Sequence, residues 1–341
     1  MAKILLGLDI GTQTIKAVQI AKDNRSRSLL AAGYVATPYR ELTSNSTRDE
    51  QVVAESINKL VHDMKVTTAE VSASLPSYKV VTRVIEVPQM SDSEMESSIQ
   101  WEAEQYIALP LSKVKLDYCV ISQNNAIKRM KVLLVAAPIS MVEKYIRIIK
   151  LAGLNPVSLE TEIIAAVRSI TESVPTLPNL LVFTIGATTS EIAIIRDYAL
   201  IYAKSYPIGG STLTRAIAEE LGFELSQAEE YKKTYGLEED KLEGKIVKIL
   251  TPFFTNLFKE IEKTIVYYKE QYPKEEVGNI VVAGGGAKLP GLVSFITQYL
   301  NLNSQVCNPF VNLSVNPTVI PVLTPDAPIY ATSVGLALKD I

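Results

Sequence analysis

Apolar side chains recur along this chain with two periods, and the points where one period gives way to the other mark its elements. Residues 3–8, 15–22 and 28–37 alternate as three strands joined by short polar turns, the antiparallel start of a sheet. Val52, Val53, Ile57, Leu60 and Val61 then share a helix face behind a capping box expected from Thr47 and Glu50. Residues 70–75 form a further strand, closed by Pro76. From 77 to 156 the rhythm changes. A strand at 79–87 leads to a helix opened by the capping box Ser91/Glu94 and carrying Ile99, Trp101 and Ile107. Two strands follow at 114–122 and 128–137 with a turn at Asn124 and Asn125. A helix capped by Ser140 and Glu143 comes next; it sets Val142, Tyr145, Ile146 and Ile149 on one face and stops at Gly153. This β-α-β-β-α segment has the size of an interaction module inserted between two larger units.

The second half opens with a helix over 160–170 and strands over 180–185, 191–196 and 199–205. Gly209 and Gly210 begin a helix that runs to Leu221 and ends at Gly222; paired glycines there leave amides free for an anion. A short helix follows Ser226, where Ser226 and Glu229 fit a capping box, and then a long helix over 242–269. A buried strand at 280–283 runs into Gly284, Gly285 and Gly286 and a helix begun at Pro290. A last helix, 329–339, carries Ala331, Gly335 and Ala337, small enough for close packing.

The stretch with the plainest chemistry is 5–16, LLGLDIGTQTIK. Asp9 ends an apolar strand, Gly11 permits a tight turn, and Thr12, Gln13 and Thr14 set polar side chains beside inward-facing amides, with Lys16 on the next strand. Such a nest suits phosphate oxygens, while Asp9 is suited to a hydrated divalent cation bridging them. A tight hairpin without any ligand has the same local signature. The pattern comes twice, however: Ile10-Gly11 and Thr14 match Ile185-Gly186 and Thr189, so 182–195, VFTIGATTSEIAII, repeats the hairpin 175 residues later. Two such hairpins, one per half, imply two similar lobes with a ligand between them. Thr184 stands where the first copy has Asp9, and the second hairpin is read as supplying no acid to the cleft. The glycines at 284–286 allow close backbone approach to a ligand, without the lysine of a Walker loop or the place in the chain of a dinucleotide fingerprint.

Composition narrows the choices. A chain of 341 residues exceeds most single cores. A net charge of −3 with no basic stripe argues against nucleic acid. Cys119 and Cys307 lie far apart in apolar contexts, which fits reduced thiols of a cytoplasmic protein, and the single histidine, His62, fits a surface position and leaves no histidine-based metal site or catalytic dyad. No apolar run reaches membrane-spanning length and no signal-peptide pattern is present. The acidic helix residues Glu94, Glu96, Glu102 and Glu104 read as a solvated face, with docking as the alternative.

The set formed by residues 8–12, 184–189, Gly209-Gly210, 228–232 and 283–286 resembles, in their usual order, the nucleotide-site motifs of the actin-like ATPase superfamily. Within it, 71–76 (VSASLP), 80–111 (VVTRVIEVPQMSDSEMESSIQWEAEQYIALPL), 132–138 (VLLVAAP) and 151–160 (LAGLNPVSLE) resemble the PilM family of type IV pilus assembly proteins, relatives of the cell-division protein FtsA. The resemblance implies a duplicated, ribonuclease-H-like α/β fold with two lobes around a nucleotide cleft and an inserted module as in FtsA. Its expected parts are a first-lobe core at 1–76 with the helix 329–341, the module at 77–156, second-lobe cores at 157–208 and 279–328, and a capping subdomain at 209–278. It further implies ATP and magnesium. Asp9 would organise the metal through water. Gly11, Thr12, Gln13, Thr14 and, less directly, Lys16 would hold the β and γ phosphates from one lobe, and Gly186, Ala187, Thr188 and Thr189 from the other. Gly209, Gly210 and Gly284 to Gly286 would flank the sugar and α phosphate, Glu229 and Lys232 the ribose and adenine, and Glu162 would stand near the attacking water. The implied role is a cytoplasmic adaptor that docks the tail of a PilN-like inner-membrane protein between the first lobe and the module, with contacts to other pilus platform proteins, possible self-association and no membrane insertion of its own. Thr184 removes one of two carboxylates near the metal, so hydrolysis is expected to be weak or absent. An FtsA-like filament former and a small-molecule kinase of the same superfold are the alternatives, the kinase disfavoured for want of an acid in the second hairpin.

Overall fold

A computed structural model describes residues 2–23, 26–38, 42–44 and 46–340 of the chain; Met1 and Ile341, the outer bounds of the expected first lobe, lie outside them. Strands β1 (Lys3–Ile10), β2 (Thr14–Lys22) and β3 (Arg27–Ala36) make the expected antiparallel meander. Helix α1 (Thr47–Asp63) crosses to β4 (Glu70–Leu75), which lies parallel to β1. After Pro76 the chain leaves for β5 (Val81–Pro88), α2 (Asp92–Glu104), β6 (Val114–Asn124) and β7 (Arg129–Pro138), then returns with α3 (Ile139–Leu151) and β8 (Asn155–Thr161). β8 pairs parallel with β4, so the first sheet runs β3-β2-β1-β4-β8.

The second half repeats this design. It comprises α4 (Glu162–Ser173), β9 (Leu180–Ile185), β10 (Ser190–Arg196), β11 (Ala199–Tyr206), α5 (Gly210–Leu221), α6 (Leu225–Tyr235), α7 (Lys245–Gln271), β12 (Asn279–Ala283), α8 (Leu292–Leu300) and β13 (Asn303–Val306). Its sheet runs β11-β10-β9-β12-β13, with β9 antiparallel to β10 and parallel to β12, strand for strand the order of the first sheet. A short α9 (Ile320–Leu323) and a 3-10 stretch (Thr324–Tyr330) lead to α10 (Ala331–Ala337), which carries the chain back to the first lobe.

Three expectations need correction. The strand β8 lies where the sequence reading placed the junction of module and second lobe, and it belongs to the first sheet. Helix α3, read as part of the module, packs Tyr145, Ile148 and Ile149 against Val53, Ala54 and Ile57 of α1. The separate module sheet is therefore β5-β7-β6, covered by Met95, Ile99 and Ala103 of α2; Trp101 on that helix is 74% exposed and Ile107 lies beyond its end. Periodicity identified the apolar face of α3 but held no information on which sheet it would meet. Capping also differs. Ser46, not Thr47, accepts from the Asp49 amide to cap α1, and α3 and α6 start at Pro138 and Glu224 without side-chain caps, whereas the Ser91/Glu94 box is present.

The lobes meet where α4 and α10 cross. Gly335 has no room for a side chain, because a Cβ there would stand 1.7 Å from the Ala165 carbonyl oxygen, and one on Gly7 would stand 2.0 Å from that of Ser333. Ser169 donates from α4 to the Ala331 oxygen at 2.6 Å. Gly335→Ala is therefore expected to cost about 1–3 kcal/mol by overpacking, read as a lower urea midpoint; an unchanged midpoint would show that the crossing yields at no cost.

Candidate functional site

Between the lobes lies a cleft of about 1020 Å³. The turns after β1 and β9 enter it from opposite sides. Asp9, Gly11, Thr12, Gln13, Thr14 and Lys16 line it from the first lobe, and Gly186, Ala187, Thr188 and Thr189 from the second. Gln13 reaches across and donates to the Ser211 hydroxyl at 3.1 Å, so one hydrogen bond already spans the gap. Gly210, Glu229, Lys232, Gly284, Gly285, Gly286 and Glu162 also line the cleft, whereas Gly209 stands back from it.

The glycines divide by what they touch. A Cβ on Gly209 would lie 2.7 Å from the Thr189 nitrogen, so this residue lets the start of α5 press on the second phosphate-type loop. The amides expected to be free there are committed: Gly210 donates to the Gly186 oxygen at 2.9 Å and Ser211 to the Ala187 oxygen at 2.8 Å. Gly284 has φ +82°, and a Cβ on Gly286 would strike the Ile185 side chain at 2.3 Å. Of that triplet only Gly285 has open space where a Cβ would stand; all three line the cleft, and the lack of a side chain lets Gly284 and Gly286 do so while pressed against Ile185.

Glu229 and Lys232 pair with each other. The Lys232 ammonium donates to Glu229 Oε2 at 2.6 Å, Thr214 Oγ1 at 2.7 Å and the Gly210 oxygen at 2.9 Å, which ties α6 to α5. Burial works against the Glu229 charge, but the hydrogen bonds from Lys232 and Thr214 overrule it and hold the carboxyl below its usual range; burial pulls the Lys232 ammonium down. The capping box expected of Ser226 and Glu229 does not form.

The acids are arranged asymmetrically. In the first hairpin Asp9 faces Lys16, whose ammonium lies 2.9 Å from Asp9 Oδ2, while Ser74 donates to Oδ1 at 2.9 Å. In the second, Thr184 faces Glu191, and Thr184 donates to Glu191 Oε2 at 3.3 Å. The expectation of no acid in the second hairpin is thus overturned: Glu191, inside the repeated stretch 182–195, lines the cleft from the position that matches Lys16 at the same 175-residue offset. Burial pushes its carboxyl up to about 7 against the hydrogen bonds from Ser77 and Thr184. Glu162, at the first turn of α4, is also held well above the usual range, by burial and by the Glu191 and Asp9 charges, while the Ser77 amide donates to its Oε2 at 3.2 Å.

Toward the module the cleft continues as an arm lined by Tyr78, Lys79, Ser140, Met141, Lys144 and Arg147, of which the sequence marked only Ser140, as a helix cap. Arg147 grips Glu50 with two hydrogen bonds of 2.8 and 3.0 Å, so the supposed capping residue Glu50 serves this wall instead. Lys144 donates to the Leu42 oxygen at 2.7 Å.

The sequence profile described as type IV pilus assembly protein PilM matches residues 7–341. The chain belongs to the PilM family of type IV pilus assembly proteins. A solved PilM-PilN type IV pilus biogenesis complex is 27% identical and superposes with a TM-score of 0.86 over 98% of this chain and 97% of the other. The cell division protein FtsA of Pseudomonas aeruginosa is 22% identical over 98% of this chain and 89% of its own length. MreB5 of Spiroplasma citri, solved with AMPPNP bound, shares 16% identity and a TM-score of 0.52 over 98% of this chain and 94% of the other. The fold of this PilM-family chain is accordingly the actin-like two-lobe fold, with the module inserted in the first lobe. Among the described residues no helix is long and apolar enough to cross a membrane.

The raised carboxyl of Glu191 makes stability fall with pH. Between the ordinary carboxyl range and about 7 the folded chain holds a proton on Glu191 that the unfolded chain has released, so stability is highest below that window and declines across it. Urea titrations from pH 4.5 to 8 should show a loss of roughly 2–4 kcal/mol or more that is smaller in Glu191→Gln, where the raised carboxyl of Glu162 keeps part of the slope. An equal slope in both chains would show that Glu191 ionises without penalty.

Proposed function

We propose that this chain is an ATP-binding adaptor of the type IV pilus assembly platform, cytoplasmic and peripheral to the inner membrane, which docks the cytoplasmic tail of a PilN-like membrane protein. The observation that carries this reading is the single continuous cleft, which begins between the two glycine-turned hairpins and ends in the arm at the base of the module, between Tyr78 and Lys79 and the helix α3. Family membership and the likeness to a PilM-PilN complex support the partner.

At the loop end, turn amides and Lys16 suit phosphate oxygens, and Gly285 admits the ligand to the backbone of the second lobe. The donor set fits magnesium of one kind only. Among the described residues no three acids come together as an all-protein cage, but Asp9, flanked by Thr184 and the acids Glu162 and Glu191, suits a hydrated ion that rides on the phosphates. Bound magnesium would offset phosphate charge. Glu162 would orient a water through the carboxylate that Ser77 fixes. Thr184 in place of a second carboxylate beside Asp9, with Glu191 proton-laden near neutrality, favours binding with little turnover. Glu191 removes the ground on which a small-molecule kinase was disfavoured; membership of the PilM family is what now weighs against it.

Lys16→Met is expected to weaken binding of a fluorescent ATP analogue by about tenfold or more, as loss of a charge-assisted contact does, with turnover in the parent chain below about one per second. Unaltered affinity, or faster turnover, would refute the phosphate assignment or the slow-turnover reading respectively. For the arm, calorimetry with a peptide copying the tail of a PilN-like protein should give micromolar binding that Tyr78→Ala weakens about tenfold while nucleotide affinity stays unchanged. No heat of binding in either chain would remove the adaptor role.

A further inference from the structure

Besides its chain connections, the inserted module is held at two places that involve the second lobe. At its base the chain enters through Pro76 and leaves through Pro138, and Ser77 bridges the lobes there. The Ser77 amide donates to Glu162, its hydroxyl accepts from the Ile163 amide at 3.3 Å, and that hydroxyl also hydrogen-bonds Glu191 of β10. At the far end Lys131 of β7 donates to the Tyr272 hydroxyl, with its ammonium 4.7 Å from the ring centroid. The Arg196 guanidinium lies 4.4 Å from the same ring, itself fixed by two-pronged pairing with Glu275, which also accepts from Tyr268 at 2.6 Å. A ring so flanked attracts both cations and is rigidly placed.

Between these two anchors Leu133 of β7 packs against the second-lobe core, but the seam's polar groups are poorly satisfied. Strands β5 and β11 pack on each other as members of separate sheets. Thr82 Oγ1 on β5 and Ser205 Oγ on β11 are buried with no hydrogen-bond partner. A buried hydroxyl without a partner forfeits its hydration, which opening would restore. The seam's polar fastenings therefore lie at its ends, while its middle has the packing of Leu133 on the second-lobe core and two hydroxyls without partners.

We propose that the Lys131–Tyr272 contact is a clasp that holds the inserted module against the second lobe, and that it couples occupancy of the phosphate loops to peptide docking in the arm. A ligand between the hairpins changes how closely the first lobe approaches Glu162 and Glu191, which both belong to the second, and Ser77, bonded at that boundary, passes the change to the base of the module. With the far end clasped, the module cannot follow the first lobe alone, so the width of the arm depends on lobe closure. Such coupling is reciprocal, since each ligand shifts the equilibrium only by its preference for one closure state. The coupling rests on the peptide-groove reading above; the clasp itself does not.

The clasp can be read without any ligand. Cys119 on β6 is exposed and Cys307 buried, so a spin label on Cys119 and a second on Lys259→Cys of α7 report the distance from module to second lobe in the full chain. The parent should give one narrow distance, and Lys131→Met and Tyr272→Leu a broad distribution extending to longer ones. In calorimetry the parent should bind the PilN-like tail peptide with an affinity that changes about fivefold or more on adding ATP and magnesium, and both variants should lose that ratio while keeping each single-ligand affinity within about twofold. Unchanged distances in the variants would overturn the clasp. Broadened distances with an unchanged ratio would overturn the coupling and leave an ordinary contact. Absence of peptide or nucleotide binding in the parent would refute the proposed function and the coupling together, while the distances would still decide the clasp.

Discussion

The whole architecture depends on one backbone contact, the crossing of α4 and α10 at Ala165 and Gly335. No side chain fits between these helices, so the two sheets are fixed about a joint with almost no slack. Arg168 reinforces it, donating to Glu160 at 2.8 Å and to the Gly335 oxygen at 2.7 Å, and so links β8 of the first lobe with both helices. Because α4 starts at Glu162, the same joint aims a carboxylate and a helix N-terminus into the cleft. Position of the acid and closure of the lobes are thus one mechanical fact.

Around that joint the duplicated sheets present similar turns with opposite chemistry. The first hairpin pairs acid and base across neighbouring strands, Asp9 with Lys16; the second pairs hydroxyl and acid, Thr184 with Glu191. The first pair is satisfied internally. The second leaves a carboxyl in a buried place without a cation, and its raised proton affinity follows from that burial. The two hairpins are therefore not symmetric: Lys16 lies on one, and the proton-holding Glu191 on the other. A phosphate chain that met Lys16 and the loop amides would do so opposite Glu191, and the charge it brought would favour retention of that proton.

The module belongs mechanically to both lobes although the chain places it in the first. Its entering connection meets the acids through Ser77, and its sheet rests on the second lobe near Tyr272. An insertion so placed gains sensitivity to lobe geometry that a module on a free linker would lack. The strands β5 and β11 stay in separate sheets, so no backbone ladder joins module and second lobe there.

The repeated hairpins, the glycine triplet and the alternation of strands were legible in the chain because turns and strand faces are local: Gly11, Gly186 and the period-two runs carry their own geometry. The same holds for the motif order that resembles the actin-like superfamily. What no local pattern contained was partnership. The face of α3 was visible, but its packing on α1 was not; β8 was hidden because Pro156 resembled an ending and its partner β4 lies some eighty residues back. Glu191 was in plain view in the repeat and still escaped, since an acid on a strand declares nothing until a lobe closes over it. Glycines at 209, 284, 285 and 286 looked alike as ligand-facing residues, yet Gly209 stands back from the cleft and only at Gly285 is the side-chain position open. Secondary structure and turn chemistry follow from neighbours in sequence, whereas burial, proton affinity and the choice among equivalent glycines follow from neighbours in space, which only the packing of two lobes and a module supplies.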